Sequence, residues 1–282
     1  MYTKTELSDL FVFNTENLDK IAQENHASYL EATPFPHLVI DNFLPEAILD
    51  QILEEFPSPD QIQWQQFQNV KENKLASNKE ITMGKVTRLL LYQFNSSVFT
   101  DFLEKLTGIE GIIPDPDFQG GGLHQIKPGG YLKVHADFNK HGKLNLDRRL
   151  NVLLYLNKDW EESYGGHFEL WNQEMTQCET KMLPLYNRCV IFSTTDFSYH
   201  GHPNPLTCPE GRTRKSLALY YYSNGRPAEE VSGSHSTMFR ERPGENLQEF
   251  KISPKKMLKK FVPPIFIDGY NLMVNQSKFR NQ

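Results

Sequence analysis

Apolar residues recur along this chain with two different spacings. In the polar stretch 1–33, Leu18, Ile21, Ala22 and Tyr29 fall at helical intervals and mark a helix. Pro34 and Pro36 then punctuate, and His37 to Ile40 reads as a short strand. Ile48, Leu49, Ile52, Leu53 and Phe56 return to helical spacing, with Pro45 suited to a first turn and Pro57 as the stop. Residues 58–85 are polar and read as irregular. Arg88 to Leu106 resumes a helical pattern that Gly108 ends. Near Gly120 the character changes. Short runs rich in Val, Ile, Leu, Tyr and Phe now alternate with Gly, Pro and Asn clusters: Tyr131–Val134, Leu150–Leu156, His167–Trp171, Cys189–Phe192 and Ser216–Tyr222. Many short strands at regular spacing predict a β-sandwich or barrel.

At 282 residues, the chain accommodates two domains or one decorated barrel, and spacing alone does not choose. With 30 Lys+Arg against 35 Asp+Glu, the net charge of −5 argues against a general nucleic-acid binder, which needs a basic excess. Cys178, Cys189 and Cys208 are far apart and form no CxxC pair, so neither a zinc ribbon nor a disulfide framework is expected. An odd cysteine count suits a reducing compartment. The N-terminus lacks the pattern of a secretory signal, and no apolar run reaches membrane-spanning length. The expectation is a soluble, cytoplasmic protein without membrane or nucleic-acid partners. From Arg240 onward the chain carries nine Lys/Arg and four Asp/Glu, and KISPKKMLKKF reads as a basic helix with a solvated face.

Chemistry concentrates in the β-rich half. His26, His37, His141 and His235 lie in polar contexts that suit exposed or locally bonded side chains, whereas His124, His135, His167, His200 and His202 fall among the strands. His135-Ala136-Asp137 ends a predicted strand, and period-two alternation points residues 135 and 137 the same way. An imidazole and a carboxylate that converge suit a divalent metal. His167-Phe168-Glu169 has the same spacing. A further histidine, His200 or its neighbour His202, would complete the two-His, one-carboxylate set of non-haem Fe(II) oxygenases. Arg214, opening the run SLALYYY, is placed to clamp a carboxylate with its two-pronged guanidinium. Neither phosphate-site reading survives: Gly120-Gly121-Gly122 opens no βαβ helix, and Arg214-Lys215-Ser216 lacks P-loop glycines.

The motifs GGYLKVHADFN, RRLNVLLYLNKDW, YGGHFELW, NRCVIFST, SYHGHP and RTRKSLALYYY, with PFPHLVIDNFLPEAIL upstream, resemble those of the prolyl-4-hydroxylase-like Fe(II)/2-oxoglutarate oxygenases over residues 34–225. The resemblance implies a mainly β fold with flanking helices (α+β), a double-stranded β-helix of the jelly-roll, cupin-like kind. It implies iron on His135, Asp137 and His200, with His202 the rival for the third place. It implies Arg214 and Tyr155 on the distal carboxylate of 2-oxoglutarate, with Ser216 assisting and Arg212 a minor rival. The interval from His200 to Arg214 is longer than in many relatives, and His167 and Glu169 become barrel-wall residues. Residues 1–110 are then an N-terminal region packed on the barrel, 111–225 the catalytic core and 226–282 a C-terminal extension, in one structural domain. Trp64, residues 119–125 and the tail would wall the pocket.

The implied activity is hydroxylation of an organic substrate, most closely a prolyl residue or a related amino-acid or peptide group. It uses Fe(II), 2-oxoglutarate and O2, with ascorbate as a candidate reductant, and releases succinate and CO2. Retention of Asp137 favours hydroxylation over halogenation, which needs a small residue there. Two other readings stand beside this one: a metal- or ligand-binding jelly roll without turnover, and a metal hydrolase on the same triad.

Overall fold

The computed structural model describes residues 11–247; the basic stretch KISPKKMLKKF lies outside the described residues. Helix α1 (Thr15–Glu31) starts where the Asn14 side chain accepts a hydrogen bond from the Asn17 amide, and it buries Leu18, Ala22 and Tyr29. Strand β1 (His37–Ile40) has the predicted bounds. Helix α2 (Glu46–Glu55) buries Leu49 and Ile52 and stops short of Pro57, as the restriction on the residue before proline requires.

Two expectations fail here for physical reasons. The stretch 88–106 is not one helix. It is α3 (Lys85–Phe94) and α4 (Ser97–Thr107), broken at Asn95-Ser96. The Ser96 hydroxyl bonds back to the Gln93 carbonyl, and such short polar side chains favour helix ends over interiors. Gly108, with φ +72°, closes α4 as expected. The second failure is residues 58–85, which are not irregular. They contain a hairpin of β2 (Gln65–Gln68) and β3 (Glu72–Ser77). β2 is largely exposed, and β3 turns the charged Glu72 and Lys74, with Ala76, toward a cavity, so neither strand shows apolar alternation.

The remaining strands are β4 (Ile113–Pro114), β5 (Gly122–Ile126), β6 (Tyr131–Ala136), β7 (Asp147–Tyr155), β8 (Phe168–Trp171), β9 (Cys178–Met182), β10 (Arg188–Ser193), β11 (His200–His202), β12 (Arg214–Ser223) and β13 (Met238–Phe239). They form one antiparallel sheet in the order β1-β10-β7-β12-β5-β3-β6-β11-β8-β9, with β2 on β3, β4 on β12 and β13 on β6. The sheet curls on itself, because residues of β3, β6, β7, β8, β11 and β12 all line one cavity. This is the double-stranded β-helix. Its five predicted strands are all present, most extended by a residue or more at one end, and His167 falls just outside β8.

Side-chain parity separates the two faces of the curl. On β7, Leu150, Val152 and Leu154 join the core that α1–α4 cover, whereas Asn151, Leu153 and Tyr155 face the cavity. On β12, Leu217, Leu219 and Tyr221 face the helices, and Arg214, Ser216 and Tyr220 face the cavity. Phe99 of α4 locks the helical layer on. Its ring lies 4.9 Å from Phe13, 4.7 Å from Phe94 and 6.0 Å from Tyr221, and the Tyr221 hydroxyl donates to the Phe94 carbonyl at 2.9 Å. The three cysteines are free, as expected, and no described helix is long and apolar enough to cross a membrane.

Because Phe99 is fully buried, Phe99→Ala should cost about 3–5 kcal/mol of unfolding free energy in a denaturant titration. A loss under about 1 kcal/mol would contradict a core joined through this ring.

Candidate active site

His135 and His200 face each other across the β6–β11 pairing, in direct register. Asp137 follows β6 on the same side as His135. The ring nitrogens of both histidines and a carboxylate oxygen of Asp137 lie within 4.8 Å of one another, and among the described residues this is the one such group of three. His135 Nε2 is 3.5 Å from Asp137 Oδ1, and His200 Nε2 is 3.4 Å from Oδ2. Both imidazoles are oriented from behind. His135 Nδ1 bonds the Lys133 carbonyl and His200 Nδ1 the Ser198 carbonyl, each at 2.8 Å. A carbonyl only accepts, so each Nδ1 carries the proton and each Nε2 turns its lone pair to the shared point. Burial, followed by His135, pushes the His200 pKa down to about 3, which keeps it in the neutral, ligating form.

Asp137 is largely enclosed, its side chain 11% exposed, and needs support to stay charged. Burial raises its pKa, but Arg148 and His200 outweigh that and hold it well below the usual carboxylate range. Arg148 Nη2 is 3.0 Å and Asn151 Nδ2 2.8 Å from Asp137 Oδ2. Arg148 is 1% exposed, bonds Asn151 Oδ1 through Nε and Nη2, and lies over the rings of Tyr220 (3.5 Å) and Phe138 (4.4 Å). Two oriented imidazoles and one ionised carboxylate form a donor set that fits a divalent transition metal.

The cluster opens into a cavity of about 260 Å³. Across it sits Arg214, the first residue of β12, 5% exposed. Its Nε donates to the Gly166 carbonyl at 2.9 Å, and its Nη2 is 3.3 Å from the Tyr155 hydroxyl. Gly166 has φ +73°, and a Cβ there would lie 3.1 Å from Arg214 Cδ and 2.6 Å from Leu206 Cδ2, so glycine leaves the room this guanidinium needs. Burial lowers the Arg214 pKa and raises that of Tyr155, yet no carboxylate pairs with Arg214 among the described residues. A buried, unpaired guanidinium facing a cavity fits an anionic ligand group.

The structure therefore brings His135, Asp137, His200, Arg214, Tyr155 and Ser216 to one cavity. His202 also lines it but stands outside the three-donor group. Arg212 points elsewhere and bonds the carbonyls of Lys158 and Asp159. His167 pairs with Glu162 near the surface, and Glu169 is buried against Trp171 and Lys181. His141 is locally bonded, as expected, its Nδ1 accepting from the Lys143 and Leu144 amides, but it is buried rather than exposed, with Nε2 3.4 Å from Asp115 Oδ1. Trp64 does not wall the cavity; it stacks on Phe56 in the core, and Gln65 and Phe67 of β2 take that place. Gly120, Gly121 and His124 contribute as expected, and Gln119 and Gln125 do not. From the tail come Thr237 and Phe239, the latter 5.4 Å from the His135 ring. Sequence reasoning passed over Arg148 and Asn151. The available signal was parity, since Asn151 is in phase with Tyr155 on the same strand.

The His-x-Asp…His cluster in the mouth of this curled antiparallel sheet has the two-His, one-carboxylate composition of the sites in non-haem Fe(II) oxygenases. Residues 121–222 match the family model of the 2OG-Fe(II) oxygenase superfamily. Over 205 residues it is 24% identical to prolyl 3-hydroxylase OGFOD1 of Xenopus laevis, covering 68% of this chain and 36% of that protein. The chain thus spans about a third of the length of that curated relative. Two solved structures share the fold. A Pseudomonas putida prolyl-4-hydroxylase aligns at a TM-score of 0.52 and 15% identity, over 74% of this chain and 100% of its own. A prolyl hydroxylase of Trichoplax adhaerens, in complex with a hypoxia inducible factor peptide fragment, aligns at 0.51 and 16%, over 78% and 94%.

If Arg148 and Asn151 hold Asp137 in its ligating state, Asn151→Ala and Arg148→Leu should each weaken Co(II) or Fe(II) binding by about 10–100-fold in a calorimetric titration. Wild-type affinity in both variants would exclude that role.

Proposed function

We propose that the chain is an Fe(II)- and 2-oxoglutarate-dependent hydroxylase with His135, Asp137 and His200 as the metal ligands. The observation that carries the reading is the pairing, in one cavity, of the three-donor cluster with the buried, unpaired Arg214. Fe(II) and 2-oxoglutarate, when bound with O2, supply oxidative decarboxylation to succinate and CO2 coupled to hydroxylation of the substrate. The protein's task is to bind and orient. Arg214 and the Tyr155 hydroxyl receive the distal carboxylate by charge-assisted hydrogen bonds, and Ser216, beside Tyr155 in register on the neighbouring strand, borders that seat. Leu153 and Phe168 add apolar surface to the same cavity. Asp137 stays charged through Arg148 and Asn151, and both imidazoles keep Nε2 turned to the shared point through their Nδ1 bonds.

A hydrolytic use of the triad leaves Arg214 and Tyr155 without a task, and a binding module without turnover has no need of an oriented, open-sided donor set. The substrate class best supported is a prolyl residue or a related amino-acid or peptide group, as the names of the similar prolyl 3-hydroxylase and prolyl hydroxylases suggest. Ascorbate fits as a reductant that keeps the metal ferrous, and the free cysteines suit a reducing, cytoplasmic setting.

The test is succinate formation with Fe(II), 2-oxoglutarate and a panel of prolyl peptides and free amino acids. The wild type should turn over. His135→Ala should not, and Arg214→Leu should raise the KM for 2-oxoglutarate on the order of 10–100-fold. Equal turnover by the wild type and His135→Ala would overturn the assignment.

A further inference from the structure

One cavity-lining side chain has no assignment in the hydroxylase reading. His202 is 3% exposed, and neither of its ring nitrogens meets a hydrogen-bond partner among the described residues. A buried polar atom left unsatisfied is costly and rare, so such an atom at a cavity wall points to a ligand.

The fold aims His202 deliberately. It lies two residues after His200 on the three-residue strand β11, so both side chains project toward the cavity. Gly201 between them leaves no room for a Cβ, which would lie 2.8 Å from the Leu132 carbonyl oxygen. That close approach presses β11 onto β6 and sets the direction of the imidazole. Its polar neighbours on this wall already have partners. Lys74 pairs with Glu72 at 3.2 Å, and His124 Nε2 bonds the Gly120 carbonyl at 3.0 Å. β11 runs antiparallel to β8 with His200 opposite Leu170 and Gly201 opposite Glu169, so His202 stands level with Phe168, two residues from Gly166, whose carbonyl holds the Arg214 Nε. His202 therefore looks toward the Arg214 end of the cavity, and its cationic surroundings select an oxygen acceptor.

We propose that His202 is a further co-substrate-binding residue, donating a ring N–H to the distal carboxylate of 2-oxoglutarate beside Arg214 and Tyr155. This rests on the hydroxylase reading above and extends it. Arg214 and Tyr155 approach the carboxylate from β12 and β7, and His202 approaches from β11, so the group is held from both sides of the curled sheet. His202 then contributes to discrimination between 2-oxoglutarate and 2-oxo acids that end in a methyl group.

The experiment is anaerobic calorimetry on the Fe(II)-loaded protein with 2-oxoglutarate and with 2-oxopentanoate, which lacks the distal carboxylate. His202→Leu removes both nitrogens at similar volume, and His202→Asn retains a donor and an acceptor. His202→Leu should raise the Kd for 2-oxoglutarate about tenfold, leave that for 2-oxopentanoate unchanged, and leave Fe(II) binding without co-substrate unchanged. His202→Asn should recover most of the affinity. The Tm of the metal-free protein should hold or rise in His202→Leu, because the imidazole has no bonds to lose; a purely structural histidine would lower it. Unchanged 2-oxoglutarate affinity in His202→Leu would mean that the imidazole serves a buried water only, and equal losses for both acids would place it elsewhere; either overturns the proposal. Failure of the wild type to bind 2-oxoglutarate would overturn the hydroxylase reading as well.

Discussion

A buried carboxylate sits at the centre of this site. Asp137 is ionised in a place where burial alone would protonate it, and Arg148 and Asn151 supply the opposing interactions. Arg148 is itself almost wholly enclosed between the Phe138 and Tyr220 rings. Two charges removed from water together are tolerated only when their hydrogen bonds are largely met, so the pair demands a rigid surround. The surround is the curled sheet: β6 delivers Asp137, β7 delivers Arg148 and Asn151, and β12 delivers Tyr220. The helical layer behind β7 and β12 keeps those strands in place through Leu154, Leu219 and Tyr221.

The cavity is built from opposites. One end collects donors for a cation, with the carboxylate charged and both imidazoles turning Nε2 inward. The other end presents a cation, Arg214, with no protein carboxylate to meet it. A ligand with an electron-rich chelating head and a distal carboxylate satisfies both ends at once, which is the chemical description of 2-oxoglutarate. The segment that follows β12 closes another side. β13 pairs with β6 so that Phe239 stands opposite His135 in register, and Lys133 pairs with Glu245.

What could be read from the amino acids alone followed apolar contrast. Strands whose two faces differ, such as β7 and β12, stood out, and so did His135 and Asp137, whose shared parity at a strand end carries meaning without any fold. β2 and β3 were invisible because one is solvated and the other turns charged residues into the cavity. The break between α3 and α4 was hidden because apolar spacing continues across Asn95 and Ser96. Arg148 was passed over because an arginine beside a second arginine reads as surface. Its burial arises only when the strand pairing seals Phe138 and Tyr220 over it. The Trp64 expectation failed for the converse reason, since a lone aromatic in a polar stretch is drawn to the nearest core, here Phe56.

The central claim is that the two ends of the cavity act on one molecule. It is tested most directly by anaerobic absorption spectroscopy of the Fe(II)-loaded protein. A 2-oxo acid that chelates ferrous iron through its keto and carboxylate oxygens produces a visible charge-transfer absorption. The account predicts that 2-oxoglutarate elicits this absorption in the wild type and that His200→Ala abolishes it. In Arg214→Leu the absorption should appear only at much higher 2-oxoglutarate concentration. Absence of the absorption in the wild type, or identical titrations of the wild type and Arg214→Leu, would contradict it.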